Sequence, residues 1–288
     1  MTGAMLTCVA LAKAARGCLR GRGSPESLGD GRVVAPFAHR VVFTEGEDGS
    51  VGSPRCVADD PESWLRLLMA TGARDAWVVH EVAGDRAVPE RVAAAFANAG
   101  GPWGVHVRRD DGADVWIPRM RYAAAEDPGR SSWWRRTFFP TRSARDSRPW
   151  QVTFTRFPLP AAAPIPHANI PGCSSRLRRS LMQNREFARM WRLKLWEAHF
   201  GMALAALDGE PASRTGAGPV GPNAIFDDAA ERLLQAAAMA WCFGGMGTWN
   251  DIHLGDRVGQ DTQFGLASDL YGAVVEAVQQ ATWPPATE

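Results

Sequence analysis

Lysine is nearly absent from this 288-residue sequence. Only Lys13 and Lys194 are lysines, so 30 of the 32 basic residues are arginines. A strong preference for arginine, together with abundant alanine, glycine and proline, is typical of proteins from GC-rich genomes. We therefore expect a bacterial source.

Cysteine is also sparse, and its five positions show no regular spacing. The count is odd and the chain contains no C-x-x-C pair, which argues against a disulfide framework and a zinc knuckle. We predict reduced thiols, a cytoplasmic location and no bound metal or other cofactor. The cysteines are Cys8, Cys18, Cys56, Cys173 and Cys242.

Long apolar runs are missing as well. No segment approaches the roughly 18 consecutive apolar residues of a membrane span, so we expect no membrane association. The apolar stretch from Met5 to Ala12 is short and follows no basic residue, which does not fit a secretory signal peptide. In a eukaryotic source, the acid-free and arginine-bearing first 25 residues would instead fit a transit peptide. With 45% hydrophobic and 22% charged residues, the chain has the composition of a globular protein.

Helix caps and strand patterns alternate in the first half of the chain. Asp60, followed by proline, predicts the start of a helix. The turn residues Asp110–Gly112 separate two strand-like segments, 103–108 and 115–117, and so predict a β-hairpin. Strands and helices in this order predict a small two-layer α/β domain over residues 36–157.

The rest of the chain divides into a leader, a linker and a helical part. Residues 1–35 hold five glycine and proline residues between positions 21 and 31, and we expect a flexible leader there. Five prolines between 158 and 172 predict a linker. Periodic apolar residues predict a mainly helical domain over 173–288, with its first long helix capped by Ser174 or Ser175 and running to about Leu207. The predicted fold class is therefore α+β, with an α/β domain followed by a helical domain.

Arginine and tryptophan are concentrated in the middle of the chain. Between Trp116 and Phe157 there are nine arginines and three acidic residues, whereas residues 225–288 contain nine acidic residues and two arginines. Tryptophan and arginine are enriched at the energetic centres of protein interfaces. We predict a binding surface formed by Trp133, Trp134, Arg135, Arg136, Arg142, Arg145, Arg148 and Trp150.

Two other interpretations of this arginine-rich region are open. Aromatic rings between guanidinium groups are also what proteins use to bind single-stranded nucleic acid. A domain that depends on phosphate contacts is usually strongly basic, however, and this chain has a net charge of +1. The near-neutral total favours the remaining interpretation, in which the arginine stems cover the protein's own core and their charged ends pair with the acidic segments.

A glycine- and aromatic-rich segment, Trp241–Asp261, predicts a rigid loop over Gly245–His253. Backbone N–H groups around glycine can bind an anion, but the lysine and hydroxyl pair of a phosphate-binding loop does not follow. Asp251 and His253 supply polar groups to this loop. Their spacing matches no established metal-binding motif.

His80 and Cys173 are the other candidate catalytic residues. His80 ends a predicted strand and could serve as a general base near neutral pH. Cys173 precedes the predicted long helix, whose positive end would lower the pKa of its thiol. Neither residue belongs to a recognisable catalytic motif.

These observations lead to one main hypothesis and two alternatives. Because no catalytic motif is present, we predict a cytoplasmic bacterial protein that neutralises or escorts a protein partner through the arginine- and tryptophan-rich surface. The first alternative is an enzyme with a site between the two domains, built from the Gly245–His253 loop with His80 or Cys173. The second alternative is nucleic-acid binding through the basic central segments.

Overall fold

One mixed β-sheet forms the first layer of the fold. The computed structural model describes residues 2–28, 34–46, 54–80, 103–122, 150–159, 166–210, 226–243 and 248–285. Its strands are β1 (Ala38–Glu45), β2 (Arg55–Ala58), β3 (Ala73–His80), β4 (Trp103–Arg109), β5 (Ala113–Tyr122) and β6 (Trp150–Leu159). The strand order is β2-β1-β6-β5-β4-β3. β1 and β6 are parallel, and the other neighbouring strands are antiparallel.

Six α-helices accompany the sheet in the described ranges. They are α1 (Thr2–Leu19), α2 (Pro61–Ala70), α3 (Ile170–Met190), α4 (Lys194–Leu207), α5 (Asp228–Ala240) and α6 (Arg257–Thr282). Short 3-10 helices span Pro25–Leu28 and Trp249–Asp251. None of the helices in these ranges is long and apolar enough to cross a membrane. The combination of sheet and helices confirms the predicted α+β fold class.

The predicted hairpin is present in the sheet. β4 and β5 pair in antiparallel register from Val105 opposite Trp116 to Arg108 opposite Ala113. The polar turn that connects these strands is the one that the sequence indicated. Local turn chemistry therefore located this pair of strands correctly.

The start of α2 also follows the sequence prediction. The Asp60 side chain accepts a hydrogen bond from the backbone N–H of Ser63 at 2.7 Å, and Pro61 occupies the first turn. The carboxylate thus satisfies one of the backbone donors that every helix leaves free at its N-terminus.

Asp60→Ala is expected to lower the free energy of unfolding by about 1 kcal/mol, because this helix cap is lost. Asp60→Asn keeps an oxygen acceptor at the same position and should lose much less. Urea denaturation of both variants measures the difference. Equal losses in the two variants would contradict a capping role.

Aromatic side chains fill the core on one face of the sheet. Phe43 of β1 stacks on Trp64 of α2 with ring centroids 4.8 Å apart, and on Phe154 of β6 at 5.3 Å. Trp116 of β5 contacts Phe43 edge-on at 5.8 Å. All four side chains are almost fully buried. These tryptophans therefore belong to the core and not to a binding surface.

The prediction of a flexible leader is wrong for residues 2–19. These residues form α1, which packs on the sheet and buries most of its apolar side chains. Val9, Leu11, Ala12 and Ala15 have no exposed surface. A helix that is apolar around most of its circumference shows little amphipathic periodicity and is stable only when it is buried. That is why the sequence pattern did not indicate it.

The predicted long helix is two helices, and it begins earlier than expected. Asn169, not Ser174 or Ser175, caps α3, and its side chain accepts a hydrogen bond from the N–H of Gly172 at 3.1 Å. Pro171 fits this position because the first turn needs no N–H donor. Between α3 and α4, Arg192 adopts a left-handed φ of 57° and ends the continuous helix.

The predicted division into two domains is not confirmed. One hydrophobic cluster contains buried residues of the sheet, of α1 and of the later helices. Thr282 of α6 also accepts a hydrogen bond from the N–H of Val78 on the edge strand β3 at 3.0 Å. Pro158 and Leu159, which the sequence assigned to a linker, belong to β6. The described sheet and helices therefore share a core.

Candidate functional site

The predicted arginine- and tryptophan-rich surface is described at a single position. Trp150 begins β6 and has 37% of its surface exposed. The surface as a whole stays a prediction. Trp133, Trp134, Arg135, Arg136, Arg142, Arg145 and Arg148 lie outside the described residues.

His80 ends β3 within a group of aromatic side chains. Its ring lies 4.6 Å from that of Trp103, and its Nε2 is 3.4 Å from the hydroxyl oxygen of Tyr271 on α6. Burial lowers the pKa of His80 to about 4. The imidazole is therefore neutral at pH 7 and a weaker base than an unperturbed histidine, which does not favour the role of general base.

His106 of β4 has a similar environment. Its ring stacks on Trp77 with centroids 4.1 Å apart, and burial lowers its pKa to about 4, although the Asp114 carboxylate opposes this shift. Both histidines thus resist protonation in the folded protein.

Acidification from pH 6.5 to pH 4 is expected to destabilise the protein through these two histidines. In this window an unfolded chain protonates histidine near pH 6.5, whereas the folded protein does so near pH 4. The unfolded state therefore binds more protons, and stability falls as the pH falls. Each histidine contributes a slope of up to about 1.4 kcal/mol per pH unit.

Urea denaturation at half-unit pH steps measures this slope. The variant in which His80 and His106 are both glutamine should show a shallower decline between pH 6.5 and pH 4. A decline as steep as that of the wild type would assign the pH dependence to other groups.

Cys173 does not have the reactive environment that the sequence suggested. It lies in the first turns of α3, but its side chain is buried and its surface is only 3% exposed. Burial, with a contribution from the Glu276 carboxylate, raises the pKa of the thiol to about 12. The predicted lowering by the helix N-terminus is wrong, because desolvation of the thiolate outweighs the helix dipole here.

Asp251 takes part in the capping of a short 3-10 helix. Asp251 ends a 3-10 helix, and its carboxylate accepts a hydrogen bond from the N–H of Thr248 at 3.4 Å. His253 follows on the exposed surface, whereas Gly245–Gly247 of the predicted loop lie outside the described residues. Within the described part of the chain, no group of three or more histidine, cysteine, aspartate or glutamate residues could hold a metal ion.

The candidate catalytic residues lie near different parts of α6. Trp249, two residues before Asp251, accepts a hydrogen bond from Gln263, whereas His80 lies beside Tyr271 and Cys173 beside Glu276. At about 1.5 Å per residue, the first and last of these positions are roughly 20 Å apart along the helix. The structure therefore does not bring these candidates together into one catalytic site.

A cleft of about 730 Å³ opens at another place, where the ends of four helices meet. We call it the helical cleft. The C-terminal end of α1, the N-terminal ends of α3 and α5, and the C-terminal end of α6 surround it. Its volume is within the range of small-molecule sites. Much of its wall is apolar and is formed by Ile170, Pro171, Phe226, Ala230, Ala281 and Trp283.

Hydrogen bonds hold these helix ends together. The N–H of Asn169 before α3 donates to the side chain of Gln280 on α6 at 2.6 Å, and the N–H of Ala168 donates to the carbonyl of Pro284 at 3.1 Å. Asp227 caps α5 by accepting from the N–H of Ala230 at 2.7 Å. The cleft is thus framed by fixed helix termini.

Arg16 is the buried cation of the helical cleft. It is 2% exposed, and its Nε donates to Asp75 Oδ1 at 2.8 Å while its Nη1 donates to the carbonyl of Trp283 at 3.3 Å. Arg20 shares the same carboxylate through Oδ2 at 3.1 Å. Burial lowers the pKa of Arg16, and the Asp75 carboxylate opposes the shift. Arg16 Nη2 has no hydrogen-bond partner among the described residues.

Two aromatic residues stand beside this arginine. Phe226 lies under the guanidinium of Arg16, with 5.4 Å between Cζ and the ring centroid, and near the Lys13 ammonium at 5.7 Å. Trp283 contributes its indole N–H, which is shielded from solvent and has no acceptor in the described part of the chain. The cleft therefore has apolar and aromatic walls, and two unpaired donors, Arg16 Nη2 and the Trp283 indole N–H, lie buried within these walls.

Comparison with known proteins does not extend this description. No protein-family model, curated protein or solved structure matches the chain.

Sequence reasoning missed the helical cleft because its central residue lies in the segment interpreted as a leader. Lys13 and Arg16 are basic residues on one side of an otherwise apolar, acid-free helix. Charged residues are rarely buried without a partner, so this pattern indicated a distant acidic group or a ligand. These two basic residues in an apolar segment were the sequence feature that could have indicated the cleft.

Proposed function

We propose that the protein binds a small organic anion in the helical cleft. The observation that carries this proposal is the unpaired Nη2 of the buried Arg16. A buried donor without an acceptor costs about 1–3 kcal/mol, and an anion that displaced the part of the cleft wall covering Nη2 would remove this cost. Guanidinium groups also provide the geometry that suits carboxylate and phosphate oxygens.

The wall composition supports an organic ligand over an inorganic ion. Ligand sites are typically lined by apolar and aromatic side chains, with a few polar groups that orient the ligand. Phe226 and Trp283 supply the aromatic surface next to Arg16. The anionic group is expected to meet Arg16 and the Trp283 indole N–H while the apolar part contacts the walls.

Calorimetric titration with a panel of organic carboxylates and phosphates tests this proposal. We expect saturable binding by the wild type and a loss of at least about 10-fold in affinity in the double variant Arg16→Met with Asp75→Leu, which removes the guanidinium without leaving the Asp75 carboxylate beside a missing partner. Trp283→Phe removes only the indole donor and should bind more weakly without loss of charge. Arg189→Gln is the matched control, because its exposed side chain pairs with Glu186 near the far end of α3. Equal binding by all four proteins, or none by the wild type, would refute the proposal.

A protein-binding role remains a second proposal. It is supported by the exposure of Trp150, the described member of the arginine- and tryptophan-rich surface. Cross-linking in the native host, with wild type compared with Trp150→Ala, tests it through a specific adduct that the variant loses. Enzymatic activity and nucleic-acid binding stay predictions.

We also propose a cytoplasmic location in a bacterium. The five cysteines are free thiols, and four of them are buried, which suits a reducing compartment. The arginine-rich composition supports the bacterial source.

A further inference from the structure

The inner end of the helical cleft carries excess positive charge. Arg16 and Arg20 share the single carboxylate of Asp75, so two cations have one counter-charge. The other cation on α1, Lys13, is paired with Glu231 at 2.6 Å. Among the described residues, one positive charge at this end of the cleft therefore has no paired carboxylate.

The outer end of the same cleft carries excess negative charge. Asp227, Asp228 and Arg232 lie on its wall, and all three are exposed, which leaves one negative charge in excess. Asp227 and Asp228 directly follow Phe226, whose ring is 5.4 Å from the Arg16 guanidinium carbon. The acidic start of α5 therefore lies close in the chain to the ring that contacts Arg16.

This separation of charge selects among organic anions. A dianion that placed its second charge at the outer end would be repelled by the two carboxylates, whereas an ammonium group there would be attracted. The arginines at the inner end would attract one carboxylate, and many of the other residues that line the cleft are apolar. A ligand with a carboxylate at one end, an ammonium group at the other and an apolar chain between them matches the inner end, the outer end and the apolar wall of the cleft.

We infer that the ligand of the helical cleft is an apolar zwitterion whose carboxylate lies at Arg16 and whose ammonium group lies at Asp228. This class includes ω-amino acids and short apolar peptides. The inference rests on the proposed function, because it assigns the chemistry of the ligand at the same site.

Four probes of equal carbon-chain length separate the contributions of charge. They are hexanoate, 6-aminohexanoate, adipate and hexylamine. We expect 6-aminohexanoate to bind about 10-fold more tightly than adipate. The two probes differ in the charge that faces the acidic outer end, which is an ammonium group in one and a carboxylate in the other, and solvent partly screens this interaction. Hexanoate should fall between them, and hexylamine should bind most weakly, because it lacks the carboxylate.

Asp228→Asn tests the outer end directly. Asp228 is the first residue of α5, and the cap of the helix is the separate residue Asp227, so the fold should persist. In this variant the preference for 6-aminohexanoate over adipate should fall by at least about 3-fold. The matched control Asp261→Asn removes an exposed carboxylate near the other end of α6 and should keep the preference of the wild type.

The dipeptide alanyl-leucine and its N-acetylated form distinguish the two sources of such a ligand. Tighter binding of the dipeptide than of 6-aminohexanoate, abolished by acetylation, would support a peptide, whereas the reverse order would support a free ω-amino acid. Binding of adipate as tight as that of 6-aminohexanoate, or no effect of Asp228→Asn, would overturn the zwitterion while leaving anion binding intact. Failure of every carboxylate to bind in an Arg16-dependent manner would instead overturn the proposed function itself.

Discussion

Asp75→Ala is expected to lower the free energy of unfolding by about 3–5 kcal/mol, because removing one partner of a buried ion pair leaves the other charge uncompensated. Asp75 accepts hydrogen bonds from Arg16 and Arg20, and from the backbone N–H of Ala76. The Arg16 guanidinium would then be buried beside Arg20 without a carboxylate. Chemical denaturation monitored by tryptophan fluorescence measures the loss.

Two control variants separate this effect from a general loss of charge. Glu186→Ala breaks an exposed pair with Arg189 and should cause little change, because surface ion pairs contribute little. The double variant Arg16→Met with Asp75→Leu replaces the buried pair with apolar side chains and should recover most of the stability. A small effect of Asp75→Ala would contradict the assignment of Arg16 as a buried charge that depends on this carboxylate.

Phe43→Ala should destabilise the protein by a similar amount, about 3–5 kcal/mol, because it opens a cavity in the core. Phe43 contacts Trp64, Trp116 and Phe154, and it has no exposed surface. Losing its ring removes a contact from each of these three aromatic side chains. The difference in unfolding free energy from urea denaturation gives the cost.

Phe264→Ala provides the comparison for Phe43→Ala. Phe264 lies on α6 with 41% of its surface exposed, and its removal should cost less than about 1 kcal/mol. Phe43→Leu keeps part of the buried volume and should fall between the two alanine variants. If Phe43→Ala and Phe264→Ala cost the same, the aromatic core is not packed as described.

The elements that sequence predicted well are those fixed by neighbouring residues. The Asp60 cap and the Asp110–Gly112 turn each specify their structure within a few positions, and both are present. α1 was missed because its stability comes from burial against β3, a contact that no local pattern contains. The break at Arg192 was missed for a related reason, since apolar spacing continues across it.

The candidate site was less predictable than the fold. Its lining residues extend from Arg16 to Pro285, so the cleft exists only after four helix ends have been brought together. Sequence reasoning gave weight to Cys173 because it precedes a helix, but helix position alone does not report the burial that raises the pKa of its thiol. The ion pair between Arg16 and Asp75 joins residues that are 59 positions apart, so a local sequence pattern cannot predict it.

Titration of ¹⁵N-labelled protein with 6-aminohexanoate, followed by NMR, tests the central claim most directly. The account predicts saturable shifts of the Arg16 Nε–H and Trp283 indole N–H signals with the same dissociation constant. The indole signal of the core residue Trp64 should remain in place. Saturable shifts elsewhere while the Arg16 and Trp283 signals stay unchanged would contradict anion binding in the helical cleft.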